Sequence, residues 1–430
     1  MKPHEEDLHV GGVLLRRRLP AEYTVTCIVQ KYGGSSVADL ERLQQIAMRI
    51  AEVKRAGMDV AVVVSAMGKT TDRLVGMARE LCPTPPRREM DMLLSTGERI
   101  TMALLSMALS TMGLEAVSLT GSQAGIITND RHNDAQVIEV RPFRVQDELS
   151  RGSVVIVGGF QGVSYRRDIT TLGRGGSDTT AVALAAALDA ERCEIYSDVD
   201  GVYSADPSIV PEACHLPEVS YPVMQEMSTA GAKVLNAHAV QFAKEKQIAI
   251  YARSTFSPGR ETVVRKMPPE AITGVQAVVS EQRIARVRFT GRRALKDFQQ
   301  SVVGLEQEQV QIKEVSVSHV EDDPERSRAS FVVSLQSVYA WESIRSALEE
   351  RIGDGIAFDS DLAALSLIGE GLNRTNRILL ATLDLLGQHR IPVTGITTTS
   401  FRISLLTPRE RNGEAVRLCH ERWIERPAAS

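Results

Sequence analysis

Short apolar runs alternate with amphipathic segments over the first 265 residues. The apolar runs predict strands at 25–30, 60–64, 116–119, 154–157, 194–196 and 248–251. Between them, apolar residues recur at helical spacing near 37–56, 72–81, 90–112 and 179–189. Strands that alternate with helices favour a mainly parallel sheet covered on both faces, which is a three-layer α/β sandwich over residues 25–265.

The pattern changes after a group of prolines and glycines at 258, 259, 268 and 269, which predicts a linker over 266–280. Beyond it, strands are predicted at 284–289, 312–319, 329–335, 365–368, 393–398 and 401–406, and helices at 338–348, 379–387 and 414–423. Two βαββαβ units of the ferredoxin-like type fit residues 281–426, either in sequence or interleaved. Residues 1–24 precede the first predicted strand and are expected to form a flexible extension.

Composition narrows the function classes. The net charge is −4 and aromatic residues make up only 4% of the chain, which disfavours a general nucleic-acid or membrane surface. No apolar run reaches the roughly 18 to 20 residues that span a bilayer. The five cysteines lack CxxC spacing and the eight histidines lack paired ligand spacing, so neither a disulfide framework nor a zinc site is expected. These features predict a soluble, cytoplasmic protein.

A glycine turn that leads into an alanine-rich helix lies at 171–188. Arg174, Gly175, Gly176, Ser177 and Asp178 form the turn and the helix start. Glycines let backbone N–H groups approach a ligand, and the start of a helix adds unpaired donors and a positive dipole end. The pattern predicts an anion site in which Arg174 holds a carboxylate or phosphate while Asp178 orients a cation or a lysine.

A second glycine turn follows the first predicted strand. Lys31 ends an apolar run and precedes Gly33 and Gly34, and the spacing of Ser36 and Asp39 suggests a capping box before a helix. Neither GxxxxGK[ST] nor GxGxxG occurs in this context, which disfavours P-loop and Rossmann sites. We expect Lys31 to point into a phosphate site.

Six motifs together resemble the aspartate kinases of the amino-acid kinase superfamily. They span residues 31–37, 64–68, 94–99, 159–162, 171–180 and 196–207. The resemblance covers about residues 26–265 closely and continues more weakly to about 425. It implies ATP-dependent phosphorylation of the side-chain carboxylate of L-aspartate, a first step towards aspartate semialdehyde and the aspartate-family amino acids. It also implies a pair of C-terminal ACT domains, which bind an amino-acid effector and mediate a homodimer.

The resemblance assigns roles residue by residue. Lys31, Asp178 and Lys233 would be catalytic, with Asp178 orienting the active-site lysine. ATP would be held by Lys31, Tyr32, Gly33, Gly34, Ser197, Asp198, Tyr203, Asp206 and Lys233. L-aspartate would be held by Ser65, Thr71, Glu98, Arg174, Gly175, Gly176 and Ser177, with Arg174 on a carboxylate and Glu98 on the α-ammonium group. Mg²⁺ would bind the ATP phosphates, without direct protein ligands.

Single residues also have simpler interpretations. Glu98 could be a surface carboxylate of a helix, Lys233 a solvated lysine and Ser65 a helix cap. Two further functions stay open as well: another amino-acid kinase, acting on glutamate or a carbamate, and a non-catalytic amino-acid sensor. The six motifs favour the aspartate kinase.

The chain departs from the family pattern in four places. Ser208 follows Asp206-Pro207 where a basic residue is common, and Asn236-Ala-His238 replaces a His-Pro-Arg-like continuation. The two loops expected to bind the effector, 289–295 and 369–377, lack the proline-glycine pattern of such sites. Effector binding is therefore doubtful, and the chain is predicted to be a desensitised form that serves one dedicated pathway.

Overall fold

The computed structural model describes residues 9–10, 13–14, 26–173, 175–257, 259–267, 274–308, 310–320, 323–335, 338 and 341–425. The predicted N-terminal extension lies outside these residues, apart from two antiparallel strands, β1 (His9–Val10) and β2 (Val13–Leu14). Within the described ranges, no helix combines the length and apolar character needed to cross a membrane.

Residues 26–265 form one α/β lobe, which we call the catalytic lobe after the role expected for it. Its strands are β3 (Cys27–Tyr32), β4 (Asp59–Val64), β5 (Ala116–Leu119), β6 (Ile126–Thr128), β7 (Val137–Val140), β8 (Val154–Gly158), β9 (Gln161–Ser164), β10 (Ile169–Thr171), β11 (Arg192–Ser197), β12 (Val202–Tyr203), β13 (His215–Leu216), β14 (Glu218–Ser220), β15 (Ile250–Ser254) and β16 (Glu261–Arg265). Its helices are α1 (Leu40–Arg55), α2 (Thr70–Leu81), α3 (Arg87–Leu94), α4 (Thr96–Thr111), α5 (Phe143–Ser150), α6 (Gly176–Ala187), α7 (Tyr221–Thr229) and α8 (Ala237–Lys246).

Eight of these strands form the central sheet, in the order β14-β16-β15-β11-β3-β4-β8-β5. All neighbouring pairs are parallel except β15 with β16. The predicted mainly parallel sheet is therefore confirmed. The six predicted strands all belong to it, and their carboxyl ends lie along one edge, where parallel sheets bind ligands.

Helices cover both faces of the sheet because successive strand residues point to opposite sides. Val29 of β3 packs in a cluster with Ala181 of α6. Ile28 and Tyr32 lie on the opposite face of the same strand and pack in a second cluster with Ile46 of α1. The sheet is the middle layer of three, with α6 on one face and α1 on the other.

The start of α1 differs from the predicted capping box. Asp39, not Ser36, is the N-cap, and its side chain accepts a hydrogen bond from Arg42 N at 2.9 Å. Ser36 is fully buried, and its hydroxyl lies 2.6 Å from the hydroxyl of Thr255. The prediction was wrong because this serine is drawn into a contact with a distant strand end, which the local spacing does not encode.

Residues 274–425 form the second part of the molecule, which we call the C-terminal region. Its strands are β17 (Gly274–Glu281), β18 (Ile284–Gly291), β19 (Ile312–Val320), β20 (Asp323–Ser334), β21 (Ile356–Asp359), β22 (Leu362–Glu370), β23 (Gly395–Thr398) and β24 (Arg402–Pro408). Its helices are α9 (Ala294–Gln307), α10 (Trp341–Ile352), α11 (Arg377–Gln388) and α12 (Arg409–His420), with a 3₁₀ turn at Gly353–Gly355 and a π-helical turn at Glu421–Glu425.

Two four-stranded antiparallel sheets divide this region. The first has the order β19-β20-β18-β21 and comes from one continuous segment. The second has the order β17-β22-β24-β23, so it takes its edge strand from the chain before the first unit. The first unit is thus inserted into the second. The linker prediction was wrong from residue 274 onwards, because β17 pairs with β22 in a sheet.

Candidate active site

Lys31 lies near the carboxyl end of β3 and faces α6. It shares this face with Val29, since alternate residues of a strand point to the same side. Helix α6 begins at Gly176 and places Asp178 in its first turn. Lys31 Nζ lies 2.6 Å from Asp178 Oδ1, with 10% and 11% of the two side chains exposed. A shielded ion pair therefore lies at the carboxyl ends of the strands, where parallel sheets commonly bind ligands.

The turn after β3 brings backbone close to this ion pair. A Cβ at Gly33 would lie 3.5 Å from Lys31 Nζ. A Cβ at Gly34 would lie 3.0 Å from Ala66 O, and Gly34 O accepts a hydrogen bond from Gly68 N at 3.0 Å. A side chain at position 34 would separate the two loops. Glycine keeps them together beside Lys31.

The second glycine turn is equally tight. Gly175 has a φ of +72°, and a Cβ there would lie 2.3 Å from Asn236 Nδ2, so its conformation and its surroundings both require glycine. Ser177 Oγ lies 2.9 Å from Ser65 Oγ, at the loop after β4. Two of the hydroxyls predicted to bind aspartate therefore meet. Arg174 lies outside the described residues.

Glu98 is a buried carboxylate in the first turn of α4, only 3% exposed. Its Oε1 accepts a hydrogen bond from Ala66 N at 3.1 Å, while Oε2 has no partner in the described part of the chain. Burial raises the pKa of Glu98 to about 7, and its backbone hydrogen bonds only partly offset this. The simpler interpretation of a surface carboxylate is wrong.

One further residue predicted to bind aspartate, Thr71, lies at the start of α2. Thr71 is half-buried in the first turn of this helix. The residue before the helix is Lys69, so Ser65 is not its cap and that alternative is wrong.

Sequence analysis missed Asp91, a fully buried carboxylate in α3. Its Oδ1 accepts hydrogen bonds from Thr171 Oγ1 at 2.5 Å and from Asn133 N at 3.0 Å, and its Oδ2 lies 2.6 Å from His132 Nδ1. Asp91 therefore fixes the end of β10, just before the second glycine turn. Asp91 lies three residues before the motif at 94–99. A carboxylate within an otherwise apolar helical stretch could have indicated a buried polar contact.

The segment predicted to bind nucleotide begins at the carboxyl end of β11. Ser197 is half-buried and Asp198 is exposed. Tyr203 donates a hydrogen bond from its hydroxyl to Asp200 Oδ1 at 2.8 Å. Asp206 is exposed, and its Oδ1 accepts hydrogen bonds from the following loop.

Tyr32 and Lys233 were also predicted to bind ATP, and neither side chain forms a hydrogen bond or an ion pair with Lys31 or Asp178 among the described residues. The Tyr32 ring is fully buried on the α1 face and stacks on Tyr196, with ring centroids 4.8 Å apart. Its side chain thus points away from the face of Lys31. Lys233 is exposed in the loop between α7 and α8 and forms no ion pair with another described residue. The solvated-lysine interpretation therefore stays open for Lys233.

A second charged cluster lies on the α1 face of the same sheet. Glu194 Oε1 accepts from Arg192 Nε at 2.7 Å and from Arg253 at 2.6 Å, and its Oε2 accepts from Gln30 at 2.8 Å and from the Tyr196 hydroxyl at 3.0 Å. Burial alone would raise the pKa of Glu194. The charge of Arg253, with the other donors, outweighs burial and holds the pKa below its usual value.

Residues 26–254 match the sequence model of the amino acid kinase family. The aspartokinase of Mycolicibacterium smegmatis is 44% identical over 405 residues, which cover 92% of this chain and 95% of that protein. The aspartokinase of Thermus thermophilus is 39% identical over 400 residues, covering 92% and 98%. These identities extend into the C-terminal region.

Solved structures share the fold. One is aspartokinase III of E. coli in complex with aspartate and ADP in the R-state, with a TM-score of 0.76, 23% identity, and coverage of 92% of this chain and 99% of that one. Another is the aspartate kinase from Synechocystis, with a TM-score of 0.53, 35% identity, and coverage of 92% and 68%. The likeness therefore includes both the catalytic lobe and the C-terminal region.

Proposed function

The chain belongs to the amino acid kinase family and, within it, to the aspartokinases, and on this premise we propose which of its residues hold each substrate. The protein is an aspartate kinase. It transfers a phosphoryl group from ATP to the side-chain carboxylate of L-aspartate and forms 4-phospho-L-aspartate. The observation that carries the assignment of residues is the shielded pair of Lys31 and Asp178 between two glycine turns.

Lys31 stabilises the transferring phosphoryl group. Charge develops on the phosphoryl oxygens in the transition state, so catalysis depends on positioning and on cations in a site that excludes water. Asp178 holds Nζ in place before the substrates arrive. Gly33 and Gly34 allow the phosphates to approach the backbone beside it.

Aspartate lies between charges of opposite sign. Glu98 accepts the α-ammonium group at Oε2, and this contact satisfies a buried carboxylate oxygen that has no partner among the described residues. Arg174 grips a carboxylate, and its planar guanidinium suits a bidentate contact. Ser65, Thr71 and Ser177 supply hydroxyls, while Gly175 and Gly176 keep the turn short enough for the substrate to reach them.

ATP lies along the carboxyl ends of β3 and β11. Ser197, Asp198, Tyr203 and Asp206 contact the nucleotide, and Lys233 reaches it from the loop after α7. The Tyr32 ring is buried against Tyr196, so we expect it to support the site by packing and not to touch ATP. Mg²⁺ enters with ATP and neutralises phosphate charge. Asp178 is already engaged by Lys31, so phosphate oxygens are the expected ligands of the ion.

A direct assay tests the reaction and its acceptor. ADP release is measured with L-aspartate, with L-glutamate and without an acceptor, and hydroxylamine traps any acyl phosphate. We expect ADP release and a trapped product only when L-aspartate is the acceptor. Equal rates with glutamate would indicate a broader amino-acid kinase, and no release with any acceptor would indicate a sensor without catalysis.

The C-terminal region pairs two copies of the chain in a homodimer. β19 and β23 are edge strands of the two sheets, and each exposes β-branched residues: Val315 (53% exposed), Val317 (46%) and Ile396 (48%). Exposed apolar edges favour pairing with another strand. Light scattering tests this proposal: Val317→Lys should yield monomers, and a variant that stays dimeric would place the interface elsewhere.

The C-terminal region responds weakly, or not at all, to lysine and threonine. The loop after β18 contributes to a cavity of about 320 Å³ whose charged lining residues are Arg292, Arg293, Arg351 and Asp297. Three guanidinium groups against one carboxylate leave the lining net positive, which disfavours a lysine side chain. In the second loop, the Arg374 side chain folds against Gly371, where a Cβ would lie 3.0 Å from Nε.

Activity with millimolar lysine, threonine and both together tests this insensitivity. We expect little change in rate. Inhibition of about tenfold or more would show that the altered loops still build an effector site. The proposed dedicated pathway and the cytoplasmic location stay predictions, although all five cysteines are free thiols, as suits a reducing compartment.

A further inference from the structure

The segment proposed to bind nucleotide, residues 197–206, is called the nucleotide segment. This segment and the loop after it pack into the hydrophobic core of the C-terminal region. Ala205 and Val210 follow β12 in the catalytic lobe, and they are 4% and 1% exposed. They pack in one hydrophobic cluster with Leu367 of β22, Ile403 of β24 and Cys419 of α12. The two parts of the molecule therefore share a core beside the proposed ATP contacts Tyr203 and Asp206.

Ser204 lies between Tyr203 and Ala205 and anchors this part of the segment. Its carbonyl accepts a hydrogen bond from Val278 N of β17 at 2.7 Å. Its N–H donates to Cys214 O, and its hydroxyl accepts from Cys214 N, both at 2.8 Å. These contacts close the loop between residues 204 and 214 and fasten it to the second ferredoxin-like unit.

The hydroxyl of Ser204 has one further contact, with His420 at the end of α12. Ser204 Oγ lies 2.8 Å from His420 Nε2, and both residues are fully buried. His420 Nδ1 lies 2.8 Å from Glu425 Oε1 in the π-helical turn. Hydrogen bonds thus link Glu425, the last described residue, through His420 to Ser204 in the nucleotide segment.

The donors and acceptors that are available decide the direction of these two hydrogen bonds. Glu425 Oε1 is a carboxylate oxygen and can only accept, so His420 Nδ1 carries the proton that is donated to it. In the neutral imidazole Nε2 then carries the lone pair and accepts the hydroxyl proton of Ser204, whose oxygen also accepts from Cys214 N. Every group is satisfied in this arrangement, which fixes one tautomer of the imidazole.

We propose that His420 is a positioning residue for ATP: it orients Ser204 and thereby places the flanking residues Tyr203 and Asp206. This inference rests on the proposed nucleotide role of that segment. His420 itself is buried in the C-terminal region and touches no substrate. Its loss should therefore affect ATP and leave aspartate recognition, which relies on Glu98 and the glycine turns, nearly unchanged.

The test compares KM values for the two substrates in matched variants. We expect His420→Ala to raise KM for ATP about tenfold, equivalent to about 1.4 kcal/mol, while KM for aspartate changes less than about twofold. His420→Gln should restore KM for ATP to within about threefold of wild type, because its amide oxygen can accept the Ser204 proton. His389→Ala is the control, since His389 is an exposed histidine after α11 in the same unit.

Ser204→Ala removes the same hydrogen bond with a smaller change of volume and serves if His420→Ala does not fold. We expect it to raise KM for ATP, and the double variant should be no worse than the more affected single one. Equal changes in both KM values, or folded variants with an unchanged KM for ATP, would overturn the proposal and leave His420 a structural residue.

Asp206→Ala separates this inference from the nucleotide assignment. If Asp206→Ala raises KM for ATP but the His420 and Ser204 variants do not, the positioning role alone fails. If Asp206→Ala has no effect while His420→Ala raises KM for ATP, the positioning role stands, and it acts through Tyr203 or another part of the segment. If none of the three variants changes KM for ATP, the nucleotide assignment and the inference both fail.

Discussion

Two glutamates of the catalytic lobe are almost equally buried and yet differ in almost every other respect. Glu194 is 1% exposed and Glu98 is 3% exposed. Both oxygens of Glu194 accept hydrogen bonds, two of them from arginines, and its pKa is lowered. Glu98 keeps one oxygen without a partner among the described residues, and burial raises its pKa to about 7. Burial alone does not distinguish the two carboxylates, and it is the oxygen without a described partner that makes Glu98 the candidate for binding a cation.

The largest expected effect concerns the satisfied cluster. Glu194→Ala leaves Arg192 and Arg253 without their shared partner and removes the acceptor of Gln30 and Tyr196. We expect the free energy of unfolding to fall by about 3 to 5 kcal/mol, as for a broken buried ion pair. Denaturant unfolding measures it. A loss of turnover in the folded fraction without a loss of stability would instead place Glu194 in the chemistry.

Lys31 is paired with Asp178 and is also proposed to act on the phosphate, so it tests whether a paired charge can serve the reaction. Lys31→Ala should lower turnover about 10²- to 10³-fold, because it removes stabilisation of the transferring phosphoryl group. Lys54→Ala is the matched control, since Lys54 Nζ lies 2.7 Å from Asp59 Oδ1 at the opposite edge of the sheet. Wild-type turnover in the Lys31 variant would refute its assignment to the phosphate.

Glu98 and Arg174 should act on one substrate. Glu98→Ala or Arg174→Ala is expected to weaken aspartate binding by about 2 to 4 kcal/mol, because each leaves one charged end of the substrate unpaired. Affinity for ATP should change far less. Kinetics with each substrate varied in turn measure both. An equal loss for aspartate and ATP would mean that the residue organises the whole site.

The pH dependence of stability should have opposite signs for the two glutamates. Between pH 4.5 and about 7, Glu98 is ionised in the unfolded chain but protonated in the folded one, so the free energy of unfolding falls as pH rises. The slope is at most about 1.4 kcal/mol per pH unit, and Glu98→Gln should remove it. Glu194 has a lowered pKa, so its contribution is present above its unfolded pKa and is lost as pH falls through the folded value. Unfolding curves across this range decide; identical slopes for wild type and Glu98→Gln would mean that Glu98 is ionised in the folded enzyme.

Much of the fold was predictable because its signals are local. The alternation of apolar runs and helical patterns predicted the sheet, and the glycine turns could be located from the sequence because each follows directly on a short apolar run or precedes a helix. Helix α9 was not predicted, although its signal is also local: Ala294, Phe298, Val302 and Leu305 recur at helical spacing. Strand β17 was not predictable, because prolines precede it and its partner β22 comes only after the whole first unit.

The sequence by itself determined the family, the mainly parallel sheet and the residue types of the site, because periodicity, glycine turns and motifs are properties of short segments. Only the tertiary structure decided that Lys31 meets Asp178, that one oxygen of Glu98 is left without a partner among the described residues, and that Ser204 is held by His420. Each of these depends on contacts between segments far apart in the chain. Burial and hydrogen-bond partners arise only when those segments pack, and they set the charge state and position of each group.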